Sequence, residues 1–227
     1  MDKQERILKA KEKVEHQDAK YSDLVELADA YFDNQDWEKA TEIYDQCVAI
    51  TSEDSYVWHR LGYIFEVYNR DYVRAMLYYK TSVQLDKNAY TSWNNMGFIQ
   101  ETQFNDPSTA MSYYKKSLEI NPNYEIALIN LGVLYNTYNE GDECIECFER
   151  VLQVNNQNAI AWHNIGIAYG RYHQNNEKAF ECVKKSVELD KNYIDGWNTL
   201  GIIYKHIYHE DEKAQECFDK VTQLKNK

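Results

Sequence analysis

The stretch WNNMG at residues 93–97 recurs along the chain with its tryptophan and its glycine in place. It returns as WHRLG at 58–62, WHNIG at 162–166 and WNTLG at 197–201. The same spacing continues through two copies in which leucine replaces the tryptophan, Leu128 with Gly132 and Leu24 with Ala28. Successive copies start 34, 35, 35, 34 and 35 residues apart, a period that indicates a tandem repeat array.

Each repeat carries two amphipathic helices, and the third repeat illustrates them. One-sided stripes at helical spacing are formed by Trp93, Met96, Gly97 and Gln100 and then by Ala110, Tyr114, Ser117 and Leu118. Between the stripes Asp106 precedes Pro107, an N-cap residue followed by a proline that suits the first helical turn. The alignment predicts N-caps at the equivalent places, Asp36, Asp71, Asn176 and Asp211. Two antiparallel helices per repeat follow from this pattern.

The pattern Trp-x-x-Leu/Met/Ile-Gly-x-x-Tyr/Phe, followed by an alanine, an aromatic residue four positions on and then a small residue, resembles the tetratricopeptide repeat. The resemblance covers residues 21–227, although Cys144 replaces the alanine of the fourth copy. It implies an all-α, right-handed superhelical solenoid of helix-turn-helix repeats, whose first helices line a concave groove. We predict six repeats at 21–54, 55–89, 90–124, 125–158, 159–193 and 194–227.

The two ends of the array are predicted to differ from its interior. Residues 1–20 place Ile7, Ala10 and Val14 at helical spacing among many charges, which predicts a charged helix that caps the first repeat; a frayed tail is the alternative. In the sixth repeat Gln215 and Thr222 stand where the other repeats are largely apolar. A last repeat has no following neighbour, so we expect a polar cap and a protein that is monomeric alone or part of a complex.

The composition favours a cytoplasmic protein that binds neither nucleic acid nor membrane. The chain has 37 acidic and 25 basic residues, and its net charge of −12 opposes binding to phosphate backbones and anionic lipids. No apolar run approaches the roughly 18 residues of a membrane span. The first residues, MDKQERILKAKEKVEHQ, also lack the apolar segment of a signal peptide.

The sequence offers no motif for catalysis, for a metal or for a cofactor. It has no Gly-rich phosphate loop, nucleophile elbow or HExxH metal motif. Cys147, Cys182 and Cys217 recur 35 residues apart, which indicates one packing environment repeated three times. Neighbouring repeats lie about 10 Å apart, too far for these sulfurs to share a metal or a disulfide. We therefore predict a non-enzymatic protein without metal or cofactor.

A polar column lies two residues after the tryptophan position and faces the groove that the resemblance implies. Arg60 in the second repeat is followed by three asparagines, Asn95, Asn130 and Asn164. An asparagine ladder holds an extended peptide because each amide donates to a C=O and accepts from an N–H, and a repeat step of about 10 Å spans about three extended residues. Asparagine is also a common default residue at this place, and both interpretations stay open.

Neighbouring columns add aromatic, apolar and charged side chains to the predicted groove. Directly after the tryptophan position lie His59, Asn94, His163 and Asn198. Five residues after the tryptophan position, an apolar stripe includes Tyr63 and Phe98, which either pack between first helices or meet an apolar ligand face. The next charged column changes sign along the chain, from Glu66 and Glu101 to Arg171 and Lys205. A ligand with basic residues at one end and acidic residues at the other fits this gradient.

These features predict a non-catalytic scaffold or adaptor that binds a segment of a partner protein in the concave groove. Two alternatives remain. The protein is a structural subunit packed by its edges into a large assembly, or it is a regulatory arm for an enzyme on another chain. A short chain with nothing fused to the repeats favours the adaptor and the subunit over the regulatory arm.

Overall fold

The computed structural model describes residues 2–16 and 18–226. Met1, Gln17 and Lys227, which belong to the predicted segments 1–20 and 194–227, lie outside these described residues. The described parts fold into thirteen α-helices and one short π-helical segment, without a β-strand among them. The predicted all-α fold of paired helices is confirmed. The chain divides into two compact units, Met1–Ile120 and Asn121–Lys227.

The first unit contains an N-terminal helix and three helix pairs. Helix α1 spans Lys3–Glu15. The pairs that follow are α2 Tyr21–Asp33 with α3 Trp37–Ile50, α4 Ser55–Val67 with α5 Tyr72–Leu85, and α6 Tyr90–Thr102 with α7 Pro107–Ile120. Ile7 and Ala10 of α1 are buried in a common core with Leu27 and Tyr31 of α2. The amphipathic N-terminal segment thus covers the apolar side of the first pair.

The second unit contains three further pairs. They are α8 Glu125–Thr137 with α9 Gly141–Val154, α10 Ala159–Tyr172 with α11 Asn176–Leu189, and α12 Ile194–Ile203 with α13 Asp211–Lys225. A π-helical segment, Tyr204–Tyr208, extends α12 before the last turn. Val183 and Val187 of α11 share a core with Leu200 and Cys217 of the last pair.

Glycines on the first helices let the partner helix approach closely. A Cβ built on Gly62 would lie 2.7 Å from the ring of Tyr79, and one on Gly97 would lie 2.7 Å from the ring of Tyr114. Both tyrosine rings are completely buried. The recurring glycine of the sequence therefore makes room for the recurring aromatic residue of the second helix, at the density of a protein interior.

The turn inside every pair contains one residue with a left-handed backbone, two positions before the second helix. These residues have φ between 51° and 61°, and none is glycine: Gln35, Arg70, Asn105, Asn139, Gln174 and His209. The left-handed region is costly for residues with a Cβ, so each turn carries a small local strain that the helix pair compensates.

In the first unit Asp71 and Asp106 cap their helices, whereas Asp36 stands at the N-cap of α3 without a side-chain cap hydrogen bond; in the second unit the caps shift by one residue. Asp71 and Asp106 accept backbone N–H groups of their helices, each over 3.0 Å, as predicted. The predictions of Asn176 and Asp211 as caps were wrong, because α11 and α13 already begin at these residues. Asn175 is the cap of α11, and its Oδ1 accepts from the Lys178 N–H over 3.0 Å.

Candidate functional site

Two buried tyrosines of the first unit hold carboxylates at the ends of the first helices. The Tyr79 hydroxyl donates to Glu66 over 2.7 Å, and the Tyr114 hydroxyl donates to Glu101 over 2.7 Å. In both pairs the tyrosine follows the glutamate by 13 residues, so consecutive repeats build the same pair. Since the rings are buried and the glutamates are half-buried, each carboxylate is held by the core while part of it reaches solvent.

The first repeat builds a related but denser cluster around Asp29. This carboxylate accepts a hydrogen bond from the buried Tyr44 and a second one, over 2.8 Å, from Tyr56. Arg60 Nε lies 3.5 Å from the same carboxylate and donates to the Tyr56 hydroxyl over 2.7 Å. The Arg60 guanidinium also stacks 4.2 Å from the centre of the Phe32 ring. Arg60, a predicted groove residue, is thereby held in one place by stacking and hydrogen bonding.

Burial sets the protonation of these groups. It raises the pKa of Tyr44, Tyr79 and Tyr114, so that all three hydroxyls stay protonated and remain donors. It also raises the pKa of Glu66, while the hydrogen bond from Tyr79 acts in the opposite direction. Burial raises the pKa of Tyr56 to about 12. The first helices of this unit therefore present hydrogen-bond acceptors that are supported from the core.

The predicted asparagines of the third repeat join this network. Asn94 Nδ2 donates to Asn95 Oδ1 over 3.2 Å, and Asn95 Nδ2 donates to the Tyr79 hydroxyl over 3.0 Å. A chain of hydrogen bonds thus runs from Asn94 to Glu66. Asn95 is half-buried, whereas Asn94 is only 3% exposed. The structure therefore places Asn94 beneath the surface that it was expected to line, where it orients Asn95.

His59 lies in a separate hydroxyl network between α4, α5 and α6. Its Nδ1 is 2.8 Å from Ser92 Oγ, which is 3.0 Å from Ser82 Oγ. Burial, together with the charge of Arg60, lowers the pKa of His59 to about 4, so the ring is neutral near pH 7. A cavity of about 430 Å³ adjoins the network and is also lined by Asp54 and Asp86.

The two aromatic residues predicted for the apolar stripe behave differently. Tyr63 is half-buried and packs against Phe32, with ring centres 5.4 Å apart, and against Trp37 at 6.4 Å. Phe98 is 43% exposed. It borders a cavity of about 230 Å³ that Glu66 and Val67 also line. Tyr63 thus packs within the unit, while Phe98 offers an apolar surface beside a carboxylate.

In the second unit the predicted site residues differ widely in exposure. Asn130 and Asn164 are half-buried, and Asn164 Nδ2 donates to the Ile160 carbonyl of its own helix over 2.9 Å. Asn198, Arg171 and Lys205 are exposed. Arg171 lies over the Tyr172 ring, 5.8 Å from its centre. Lys205 belongs to the π-helical segment that follows α12.

His163 is placed differently from the expected groove contact. It is 6% exposed, and both ring nitrogens face hydroxyl groups, one on α12 and one on the residue directly before α12. Nε2 lies 2.9 Å from Thr199 Oγ1, and Nδ1 lies 3.0 Å from the Tyr193 hydroxyl. Burial lowers the pKa of His163, which favours the neutral ring. This side chain therefore joins neighbouring repeats, and its polar atoms are directed inward.

The structure separates the predicted residues into two sets. Asn95 belongs to the first unit, whereas Asn130 and Asn164 belong to the second. Sequence reasoning missed the groups that organise the first set, the donors Tyr44, Tyr56, Tyr79 and Tyr114 and the acceptor Asp29. The constant spacing of 13 residues between Glu66 and Tyr79 and between Glu101 and Tyr114 was a signal for two of these pairs.

Comparison with known proteins agrees with this arrangement. A family model described as tetratricopeptide repeat matches residues 102–165. These residues thus match the repeat family that the sequence pattern resembles. A search of curated proteins finds no match to this chain. In the part of the chain that the structure describes, no helix is long and apolar enough to cross a membrane.

Solved structures share the fold of this chain at low sequence identity. MamA from Desulfovibrio magneticus RS-1 is 23% identical over 76% of this chain and 95% of that chain, with a TM-score of 0.64. YrrB, described as a TPR protein with an unusual peptide-binding site, is 19% identical over 82% of this chain and 95% of that chain, with a TM-score of 0.63. The APC/C hetero-tetramer Cut9–Hcn1 is 17% identical over 98% of this chain and 43% of that chain, with a TM-score of 0.76.

Proposed function

We propose that this protein is a non-catalytic adaptor that binds a segment of a partner protein along the first helices of its repeats. Tetratricopeptide repeat proteins mediate protein–protein interactions, and the similar protein YrrB is described as having a peptide-binding site. The observation that carries the proposal is the network of Asn95, Tyr79 and Glu66 beside the exposed ring of Phe98. It combines preorganised polar groups with an apolar contact.

The first unit favours a basic segment of the partner. Glu66 and Glu101 are each oriented by a tyrosine hydroxyl, and they lie on consecutive first helices. A lysine or arginine of the ligand gains a charge-assisted hydrogen bond from such a carboxylate. Phe98 lies on α6 between these two glutamates in sequence and suits an apolar ligand residue. A segment in which basic residues flank an apolar one matches this surface.

The second unit favours an acidic portion of the ligand. Arg171 and Lys205 are exposed cations on α10 and on the segment after α12, and Asn198 is an exposed amide on α12. Asn130 and Asn164 contribute half-buried amides on α8 and α10. Amides and cations together suit a backbone that carries carboxylates. The change of charge between the units thus predicts basic residues in a ligand of the first unit and acidic residues in a ligand of the second.

Peptide selection on the full chain tests the adaptor. We expect a displayed peptide library to yield basic sequences with an apolar residue, and we expect Glu66→Gln with Glu101→Gln to weaken the selected peptide about tenfold. The control, Glu143→Gln with Glu146→Gln, removes two exposed carboxylates of α9 and leaves affinity unchanged. Selected peptides without basic residues, or equal affinity in both double variants, would refute a basic ligand in the first unit.

The asparagines are tested separately from the carboxylates. Replacing Asn95, Asn130 or Asn164 by alanine is expected to weaken a bound peptide by about 1–2 kcal/mol for each amide that loses its partner. Titration calorimetry measures this loss, and thermal melts verify that each variant is folded. A triple Asn→Ala variant with normal affinity would show that asparagine is only the default residue of the repeat.

A second function, structural subunit of a larger assembly, is favoured by an apolar pair on α5. Val73 is 71% exposed and Leu77 is 59% exposed, one helical turn apart on the second helix of the pair. The similar structure Cut9–Hcn1 is described as an APC/C hetero-tetramer. If the subunit function is correct, Val73→Asp with Leu77→Asp abolishes recovery of a multi-protein complex, and the Glu66 and Glu101 variants do not.

A further inference from the structure

The tryptophan column has a partner column 20 residues later, and its residue type differs between the two units. The partners are Tyr78 and Tyr113 in the first unit and Cys182 and Cys217 in the second. In the first unit the tyrosine covers the tryptophan: the ring centres of Trp58 and Tyr78, and those of Trp93 and Tyr113, are each 5.4 Å apart. A cysteine lacks the ring that fills this space.

Both cysteine-bearing repeats have a cavity beside the tryptophan. The cavity at Trp162 measures about 540 Å³ and is lined by Cys182. The cavity at Trp197 measures about 600 Å³ and is lined by Cys217. The second cavity lies between the second helices α11 and α13, with α12 as its floor. These volumes lie in the range of small-ligand pockets and exceed the space of one aromatic side chain.

The cavity at Trp197 has an aromatic and apolar interior and a charged rim. Val187, Leu200 and Tyr204 line it together with the indole, whose Nε1 donates to the Lys191 carbonyl over 3.0 Å. This hydrogen bond fixes the ring plane from the side of the backbone. An incoming aromatic ring meets the indole of Trp197 and the phenol of Tyr204, and contacts between aromatic rings are favourable.

The rim of the cavity at Trp197 is less acidic than the protein as a whole. Four lysines and three glutamates line the cavity, Lys184, Lys191, Lys213, Lys220, Glu188, Glu212 and Glu216. The whole chain has the opposite balance, with 37 acidic and 25 basic residues. Lys213 lies in an ion pair with Glu210 of the preceding turn. With Glu210 counted, cations and carboxylates balance at the rim, so a ligand carboxylate is repelled less here than over the rest of this acidic protein.

We propose that the cavity at Trp197 is a docking site for a partner protein that inserts an aromatic side chain flanked by acidic residues. The aromatic ring replaces the tyrosine that the first unit supplies from its own chain at Tyr78 and Tyr113. The flanking carboxylates meet the lysines of the rim. The smaller cavity at Trp162, one repeat earlier, is lined by one lysine and two glutamates and therefore suits an acidic flank less well. This site lies between second helices and is independent of the adaptor surface proposed above.

Indole NMR signals of the full chain measure this docking directly. The probe is the peptide acetyl-Glu-Asp-Phe-Asp-Glu-amide, which contains no tryptophan. We expect it to shift the Nε1–H signal of Trp197, and to a smaller extent that of Trp162, with those of Trp58 and Trp93 unchanged. The signals are assigned by single Trp→Phe variants. A peptide with alanine in place of phenylalanine is expected to bind about tenfold more weakly, since the aromatic contact is lost.

The chain itself supplies the variant that closes the cavity. Cys217→Tyr introduces the residue found at this place in the second and third repeats, and we expect at least about a tenfold loss of probe affinity. Cys217→Ser keeps the space open and is the matched control, with affinity expected within about twofold of the parent. If Cys217→Tyr does not fold, Lys184→Glu with Lys220→Glu tests the rim instead, and the same loss is expected.

Three outcomes would overturn the proposal. They are equal binding of the phenylalanine and alanine peptides, undiminished binding to folded Cys217→Tyr or to the Lys184 and Lys220 double variant, and shifts confined to Trp58, Trp93 or Trp37. The Glu66 and Glu101 double variant belongs to the adaptor surface, and its affinity for this probe is expected to equal that of the parent. A failure of the adaptor proposal therefore leaves this result unaffected, and the converse also holds.

Discussion

At the scale of single residues, the first unit joins a buried tyrosine to a half-buried carboxylate in three successive repeats. Tyr79 has a completely buried ring, and its hydroxyl both donates to Glu66 and accepts from Asn95. Removing a hydroxyl in this position lowers the stability of the fold, because two polar groups lose a hydrogen-bond partner at once. The network therefore contributes to stability as well as to the candidate binding surface.

Tyr79→Phe is expected to lower the free energy of unfolding by about 1–2 kcal/mol, since the ring stays buried while the hydrogen bonds to Glu66 and Asn95 are lost. Urea denaturation followed by circular dichroism measures the change. Tyr138→Phe is the control, because Tyr138 is 49% exposed and its replacement is expected to be nearly neutral. Equal stability of the Tyr79 variant and the parent would contradict the structural role of the network.

His59 is expected to make the protein sensitive to acid. Its pKa is lowered from the usual 6.5 to about 4 by burial, so folding favours the neutral ring. This contribution is complete above about pH 6.5 and is lost as the pH falls toward 4, because the unfolded chain then binds the proton more readily. Between about pH 7 and pH 5 the parent is expected to lose about 2 kcal/mol more stability than His59→Gln. Parallel pH dependence of the two proteins in denaturant titrations would rule this out.

At the scale of secondary-structure elements, the second helix of every pair starts after the same strained turn. The left-handed residue is glutamine, arginine, asparagine or histidine and never glycine. The sequence does not predict this feature, because a left-handed position is normally inferred from a glycine and these positions carry other residues. The helix ends, by contrast, follow local signals such as the aspartates at Asp71 and Asp106.

Gln174→Gly is expected to stabilise the protein by about 0.5–1 kcal/mol, since glycine adopts the φ of 51° found there without steric cost and the gain exceeds its extra freedom in the unfolded chain. Gln215→Gly makes the same chemical change inside α13, where it is expected to destabilise by about 1 kcal/mol. Thermal and urea unfolding compare the two variants. A loss of stability at both positions would show that the turn does not strain Gln174.

At the scale of the whole molecule, the repeats depend on their neighbours for burial, and the first repeat is covered by α1. Ile7 and Ala10 are 7% and 0% exposed in the core that they share with α2. Lys13 of α1 also pairs with Glu26 of α2 over 2.6 Å. An array of repeats loses stability when an end repeat is uncovered, because each unit buries its apolar face only against the next.

Deleting residues 1–20 is expected to lower the free energy of unfolding by about 2–4 kcal/mol, since the apolar side of α2 that Ile7 and Ala10 cover becomes exposed. Differential scanning calorimetry measures the change. Ile7→Ala removes much of the contact without shortening the chain and is expected to shift stability in the same direction by a smaller amount. An unchanged melting temperature after deletion would mean that α1 is not a cap.

The sequence by itself determined the period, the pairing of helices and the family, because these depend on contacts between residues close in the chain. Each Trp–Gly motif predicts one helix, and the small residue opposite a large one predicts its partner. The candidate positions Asn95 and Glu66 also followed from their place in the repeat. The local sequence pattern is sufficient to predict these features because each repeat has the same environment as the next.

Only the tertiary structure decided which of these side chains are available. Asn94 and His163 share a column in the sequence with exposed Asn198, yet both are buried. His163 lies against the Thr199 hydroxyl of the next first helix, whereas Asn94 donates to Asn95 of its own helix. The cavity at Trp197 likewise depends on the residue 20 positions later. Cys217 leaves open the space that Tyr78 fills beside Trp58. Exposure and empty space depend on what packs across from a residue, and a repeat pattern does not encode that.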